Sequence, residues 1–89
     1  MKKTEVTIKN KAGLHARPSS LFVQVASKYD ADINIIYEDE VINGKSIMGL
    51  MLLAAEQGRT LILECDGEDE EQMIEELVDL VEVKKFNEE

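Results

Sequence analysis

The sequence predicts an α/β (α+β) two-layer, open-faced sandwich: one domain over residues 1–89, with a four-stranded antiparallel sheet and three helices on one face, in the order βαββαβα. Three observations predict it. Segments with apolar residues at every second position (Val6 and Ile8; Ile33, Ile35 and Tyr37; Leu61, Leu63 and Cys65) alternate with segments whose apolar residues recur at helical spacing. The chain, at 89 residues, is long enough for one modest core and no more. No internal repeat, linker or low-complexity stretch interrupts the pattern.

Val6 and Ile8 alternate with Glu5, Thr7 and Lys9, marking a first strand with one wet face. Asn10 to Gly13 then loops into a helix from about Ala16 to about Lys28, where Leu21, Phe22, Val25 and Ala26 share a face. Pro18 suits its first turn, because the missing N–H would be unpaired there anyway. Ile33, Ile35 and Tyr37 form a second strand, joined through Glu38 and Asp39 to a short third, Val41 to Asn43; an Asn-Gly hairpin signal is absent. Asn43-Gly44-Lys45-Ser46 turns into a second helix with Ser46 as N-cap, a contribution of ~1 kcal/mol. Ile47, Leu50, Met51 and Ala54 fit one face of that helix, and Gly58 is placed to stop it. After the fourth strand Gly67 breaks the alternation, and Asp69 with Gln72 resembles a capping box. Met73, Ile74, Leu77, Leu80 and Val81 are the buried stripe of a last helix, with Glu70 and Glu71 suiting its positive start and Lys84 and Lys85 its end. Phe86 to Glu89 reads as a frayed tail. Periodicity leaves the strand order open between a ferredoxin-like arrangement and others.

Composition excludes several classes of function. A net charge of -9 argues against binding nucleic acid, which rests on Lys and Arg neutralising phosphates. Lys2, Lys3, Lys9, Lys11 and Arg17 nevertheless gather near the first strand and the His15 loop, which predicts a less negative face there, open to an acidic partner. Cys65 has no partner for a disulfide and reads as a small buried apolar residue. One histidine, one cysteine and no EF-hand spacing predict no metal site and no cofactor. The first residues lack a signal-peptide core, and the longest apolar run, Ile47 to Ala55, is far short of the ~20 residues that span a bilayer, so a cytoplasmic protein without membrane insertion is expected. A monomer is the expected state.

One corner carries chemistry. Gly13-Leu14-His15-Ala16-Arg17-Pro18 sets the only histidine beside an arginine and the only proline at the start of the first helix. An anion there meets the unpaired backbone N–H groups of Ala16 and Arg17 and the positive end of the helix dipole. Arg17 adds a permanent charge with a planar fork of donors. Imidazole is a competent nucleophile at neutral pH, so the residues together point to handling a phosphoryl group on His15. Singly, each has an ordinary explanation as helix punctuation; the combination is what points to chemistry. A chain this short can hardly enclose a pocket of ~300–1,000 Å³, so a partner would complete the active site.

The stretch GLHARP resembles the active centre of HPr, the histidine-containing phosphocarrier family of the bacterial phosphoenolpyruvate-dependent sugar phosphotransferase system. Lys45-Ser46-Ile47-Met48-Gly49-Leu50-Met51 is similar to the family's regulatory serine segment, and Ala26-Ser27-Lys28-Tyr29-Asp30-Ala31-Asp32 to members of Gram-positive type. The resemblance runs from Val6 to about Val83. It implies sheet order 1-4-2-3, phosphorylation of His15 on Nδ1 by enzyme I, and onward transfer to enzyme IIA components. It also implies phosphorylation of Ser46 by an ATP-dependent kinase, with reversal by a phosphorylase, and contact with a transcription regulator. Four apolar residues within Ile47–Met51 cannot all face inward, and Met48 is expected to be outermost; Ala16, Ser20, Leu21, Gln24, Ile47, Met48 and Met51 form the expected partner surface. Departures are Ser19, whose hydroxyl could meet the phosphate, Gly44, expected to loosen the approach to Ser46, and the acids Glu38, Asp39 and Glu40. The competing functions are a regulator acting chiefly through phospho-Ser46, and a small ligand-binding module unrelated to phosphate.

Overall fold

The two-residue alternation becomes a sheet with one apolar face. In a computed structural model, which describes residues 1–88, the elements run β1 (Lys2–Thr7), α1 (Ala16–Ala26), β2 (Asp32–Tyr37), β3 (Glu40–Asn43), α2 (Ile47–Leu53), β4 (Thr60–Asp66) and α3 (Glu70–Val78). The strands are antiparallel in the order β1-β4-β2-β3. Leu63 of β4 lies opposite Thr4 of β1 and Ile35 of β2, so β4, with Leu61, Leu63 and Cys65 all buried, takes a central place. Val6, Ile33, Ile35, Leu61, Leu63 and Cys65 point into one core with Phe22, Leu50, Met73 and Leu77 from the helices. Burial, with a smaller push from Glu70, raises the Cys65 thiol to about 11, which leaves it inert at neutral pH. No helix among the described residues is long and apolar enough to cross a membrane.

The helix ends differ from the expected ones for local reasons. α1 stops at Ala26 rather than Lys28, because Lys28 and Tyr29 bond three residues back, to Val25 (3.1 Å) and Ala26 (3.2 Å), and tighten the last turn. Lys28 and Tyr29 then both meet Glu76 of α3. α2 ends at Ala54, which adopts the left-handed conformation (φ 49°, ψ 39°), well before Gly58. The early turn lets the Ala55 carbonyl accept from the Leu14 N–H (2.9 Å). Gly13 passes over that carbonyl at φ +72°, where a Cβ would lie 2.5 Å from the oxygen, so neither the angle nor the space admits a side chain. Gly44 does not loosen its turn: its N–H bonds to Ile33 (2.8 Å), and a Cβ would stand 2.9 Å from the Ile33 side chain.

The expected capping box on α3 does not form. Asp69 instead accepts from the backbone N–H groups of Asp30 and Ala31, both at 2.9 Å, and these bonds hold its carboxyl below the usual range. Glu70 accepts from the Gly67 N–H (3.0 Å). The buried stripe is as expected, with Met73, Ile74 and Leu77 on α3 and Leu80 and Val81 in the π turn Asp79–Val83 that follows it.

The tail is not frayed. After Lys84, residues Lys85, Phe86 and Asn87 have φ of 51°, 55° and 58°, a left-handed turn closed by Asn87 N–H to Lys84 (2.8 Å) and Glu88 N–H to Lys85 (3.0 Å). Left-handed backbone costs L-residues ~1–2 kcal/mol each. Complete burial of the Phe86 ring, worth ~1.5–3 kcal/mol, offsets a large part of it. Glu89, also assigned to that tail, lies outside the described residues. Phe86→Ala should therefore destabilise the fold by ~3–5 kcal/mol, measured as a fall in the urea midpoint at constant m-value; a change within error would return the segment to a frayed state.

Candidate functional site

His15 precedes the first turn of α1 in extended conformation (φ -96°, ψ -166°), and its side chain gives α1 no cap. A side-chain cap accepts from the second or third helical N–H. Here the third helical residue is Pro18, which has none. The first intrahelical bond runs from Ser19 to His15 (3.0 Å), so helix geometry leaves the N–H groups of Ala16 and Arg17 without intrahelical partners. His15, Ala16 and Arg17 are exposed. The imidazole is 44% accessible, enough for a second protein to reach it.

The turn after α3 brings a carboxylate to this corner. Glu88 lies 3.0 Å through Oε2 and 3.2 Å through Oε1 from His15 Nε2. Arg17 Nη1 donates to the Phe86 carbonyl (2.9 Å) and to Glu88 Oε2 (3.3 Å). Asn10 Nδ2 donates to the Gly13 carbonyl (2.9 Å) and to Glu88 Oε1 (3.0 Å), which fastens the loop, the helix start and the tail together. Burial alone would raise the Glu88 carboxyl; bonds from Asn10 and His15, the His15 charge and the Arg17 bond outweigh it and hold the group below the usual range. Sequence reading missed Glu88 and Asn10. The role of Asn10 follows from its own burial, and no local pattern ties residue 88 to a histidine 73 positions earlier.

Ser19 is fully buried, and its hydroxyl has no partner among the described residues, so it does not face the exposed side of His15. The cation excess expected around His15 is reduced: Lys2 pairs with Glu71, Lys3 with Glu64 and Arg17 with Glu88. Lys9 and Lys11 remain on the surface.

Ser46 caps α2 as expected, its Oγ accepting from the Gly49 N–H at 3.1 Å. Lys45 is turned away to the Tyr29 carbonyl (2.8 Å). α1 and α2 pack side by side. Along them Met48 is 70% exposed, with Ile47 and Met51 less so, and Leu52, which the spacing had not singled out, is the most exposed at 80%. Gln24 is exposed and donates to Ser20 (3.2 Å), and Ser20 and Leu21 are half-buried beside it.

The open-faced sandwich, with one histidine and one arginine displayed at the start of its first helix, is the arrangement expected of a small phosphoryl-relay protein. Residues 2–83 match the family profile described as "PTS HPr component phosphorylation site". The chain is similar to phosphocarrier protein HPr of Neisseria meningitidis, with 47% identity over 81 residues and 91% of each chain covered. It is also similar to the HPr-like protein Crh of Halalkalibacterium halodurans, with 43% identity over 82 residues, covering 92% of this chain and 98% of that one. The crystal structure of HPr from Thermoanaerobacter tengcongensis superposes with a TM-score of 0.94 at 50% identity, covering 100% of this chain and 99% of that one. The chain belongs to the HPr family of phosphotransferase-system phosphocarriers.

Because Glu88 has a lower pKa folded than unfolded, its contacts stabilise the fold fully above the ordinary carboxylate range and lose that contribution as pH falls through the folded value. Carboxyl ¹³C NMR should place the Glu88 midpoint below the usual glutamate value, and His15→Ala should raise it. An unmoved midpoint in that variant would remove His15 from the list of its causes.

Proposed function

We propose that the chain accepts a phosphoryl group on His15 from enzyme I, itself charged by phosphoenolpyruvate, and passes it to a histidine of enzyme IIA components in sugar uptake. It works as a cytoplasmic monomer and as a stoichiometric carrier, turning over no substrate alone. The observation that carries this reading is the exposed imidazole two residues before Arg17, already holding an anion at a helix start. The Ala16 and Arg17 N–H groups and the Arg17 guanidinium are the donors for the phosphoryl oxygens. So few donors, on an open surface, suit a group that must leave again, whereas a closed cage would retain it. The partner completes the active site by covering Ala16, Ser20, Leu21, Gln24, Ile47, Met48 and Met51, to which the exposure of Leu52 adds an apolar neighbour. Flexible methionines suit successive partners of different shape.

Ser46 is the regulatory position in this proposal. A kinase using ATP adds about -1.5 to -2 charges at the start of α2, which the helix dipole tolerates and acidic partners do not. A phosphorylase reverses it. Similarity to an HPr-like protein Crh favours a second reading, a regulator acting through phospho-Ser46 on a transcription regulator. The His15 and Arg17 arrangement speaks against that as the sole role, because such a regulator needs neither.

With phosphoenolpyruvate, Mg²⁺ and catalytic enzyme I, the wild-type chain should gain one acid-labile phosphate by mass, and His15→Ala none. Arg17→Ala should slow loading at least ~10-fold by removing a charged donor. Absence of label on wild type, with a control carrier labelled, would refute the relay. Ser46→Asp should accept the phosphoryl group from enzyme I more slowly than Ser46→Ala, and equal rates would remove Ser46 from the regulation of this step.

A further inference from the structure

Glu88 lies past residue 83, where the family match ends, and the proposed relay gives it no role. Yet the fold goes to some length to hold it. The left-handed turn over Lys85–Asn87 is secured by the buried Phe86 ring, and it delivers the Glu88 carboxylate to His15 Nε2, Asn10 Nδ2 and Arg17 Nη1 at once. The carboxylate is only 19% exposed, so water competes weakly for these bonds.

An ionised carboxylate can only accept hydrogen bonds. Glu88 is held below the usual carboxylate range, by the bonds described above against its partial burial, and is therefore ionised at neutral pH. The ring nitrogen facing it must then carry a proton. In a neutral imidazole one nitrogen is N–H and the other bears the lone pair, and the partner of one decides the state of the other. The second nitrogen is not engaged by α1, since His15 makes no side-chain cap and Pro18 supplies no N–H.

We propose that Glu88 is a positioning residue that keeps the His15 proton on Nε2, so that Nδ1 presents its lone pair to the incoming phosphorus. This rests on the phosphocarrier reading above. The Nδ1 lone pair forms the new N–P bond, while the N–P bond of the donor's phosphohistidine breaks and leaves its electron pair on the donor imidazole. The Nε2 proton does not move. The phosphorylated ring, substituted at both nitrogens, carries a positive charge that Glu88 faces directly. Before loading, the same carboxylate stops the ring from turning Nδ1–H outward, a state with no nucleophilic pair to offer.

The test combines long-range ¹H–¹⁵N NMR of ¹⁵N-labelled protein, at a pH where the ring is neutral, with initial rates of phosphorylation by phosphorylated enzyme I. Wild type should show Nε2 protonated and Nδ1 free. Glu88→Ala should show a mixture of both tautomers and load ~10-fold or more slowly, the order of effect seen when the partner orienting a metal-bound histidine is removed. Glu88→Gln, whose amide oxygen can still accept, should retain more of the Nε2–H form than Glu88→Ala and load at a rate between the two. Three outcomes would overturn the inference: Nδ1–H as the major wild-type tautomer, a tautomer ratio unmoved in Glu88→Ala whatever its rate, or faster loading in Glu88→Ala, which would make the carboxylate an obstacle. Failure of the carrier reading is distinct, because wild type would then take no phosphoryl group while the tautomer pattern still reads out.

Discussion

The hydrogen bond from the Leu14 N–H to the Ala55 carbonyl is the joint on which the His15 corner depends. It ties the loop before α1 to the turn after α2, at a point where the two backbones meet too closely for any side chain but that of glycine at residue 13. With that loop fixed, α1 can begin only at Ala16, and His15 is left just outside the helix with extended backbone. Asn10 reinforces the same loop from beneath through the Gly13 carbonyl. An error of one residue here would rotate His15 by about 100° around the helix axis, away from Arg17 and Glu88.

Much of the sandwich was legible because its determinants are local. The alternation of Leu61, Leu63 and Cys65 needs no knowledge of β1 or β2 to be read as a strand, and the stripe from Met73 to Val81 reads as a packed face. Ser46 and Met48 were legible for the same reason, one through N-cap chemistry and the other through an excess of apolar residues on a short helix. The strand order was not in the periodicity; it came with the family resemblance and agrees with the structure.

What was illegible is set by contacts distant in sequence. Ala54 ends α2 in a conformation that favours glycine, because the chain must deliver Ala55 to Leu14, and no propensity of alanine announces this. Asp69 has the spacing of a capping residue but two better donors in Asp30 and Ala31, 39 and 38 residues away. Phe86 is a single aromatic in a polar tail, with no period to mark it as core, and its burial depends on a gap that only the folded core supplies. Glu88 follows from Phe86, so the carboxylate that touches the histidine was hidden twice over.

The site that results is compensated rather than strongly cationic. Arg17 shares one nitrogen between the Phe86 carbonyl and Glu88, and the lysines of β1 are paired elsewhere, so an arriving phosphoryl group finds a helix start, a partly engaged guanidinium and a nearby negative charge. The last two limit how tightly the group can be held. For an enzyme that stabilises one transition state this would be a weak design. For the proposed relay it is a fitting one: if donor and acceptor both exchange the group with His15, a deep well at that intermediate would slow the outward step as much as it helped the inward one. In that proposal the exposed methionines of α2 supply affinity through docking, which leaves the chemistry at His15 near balance.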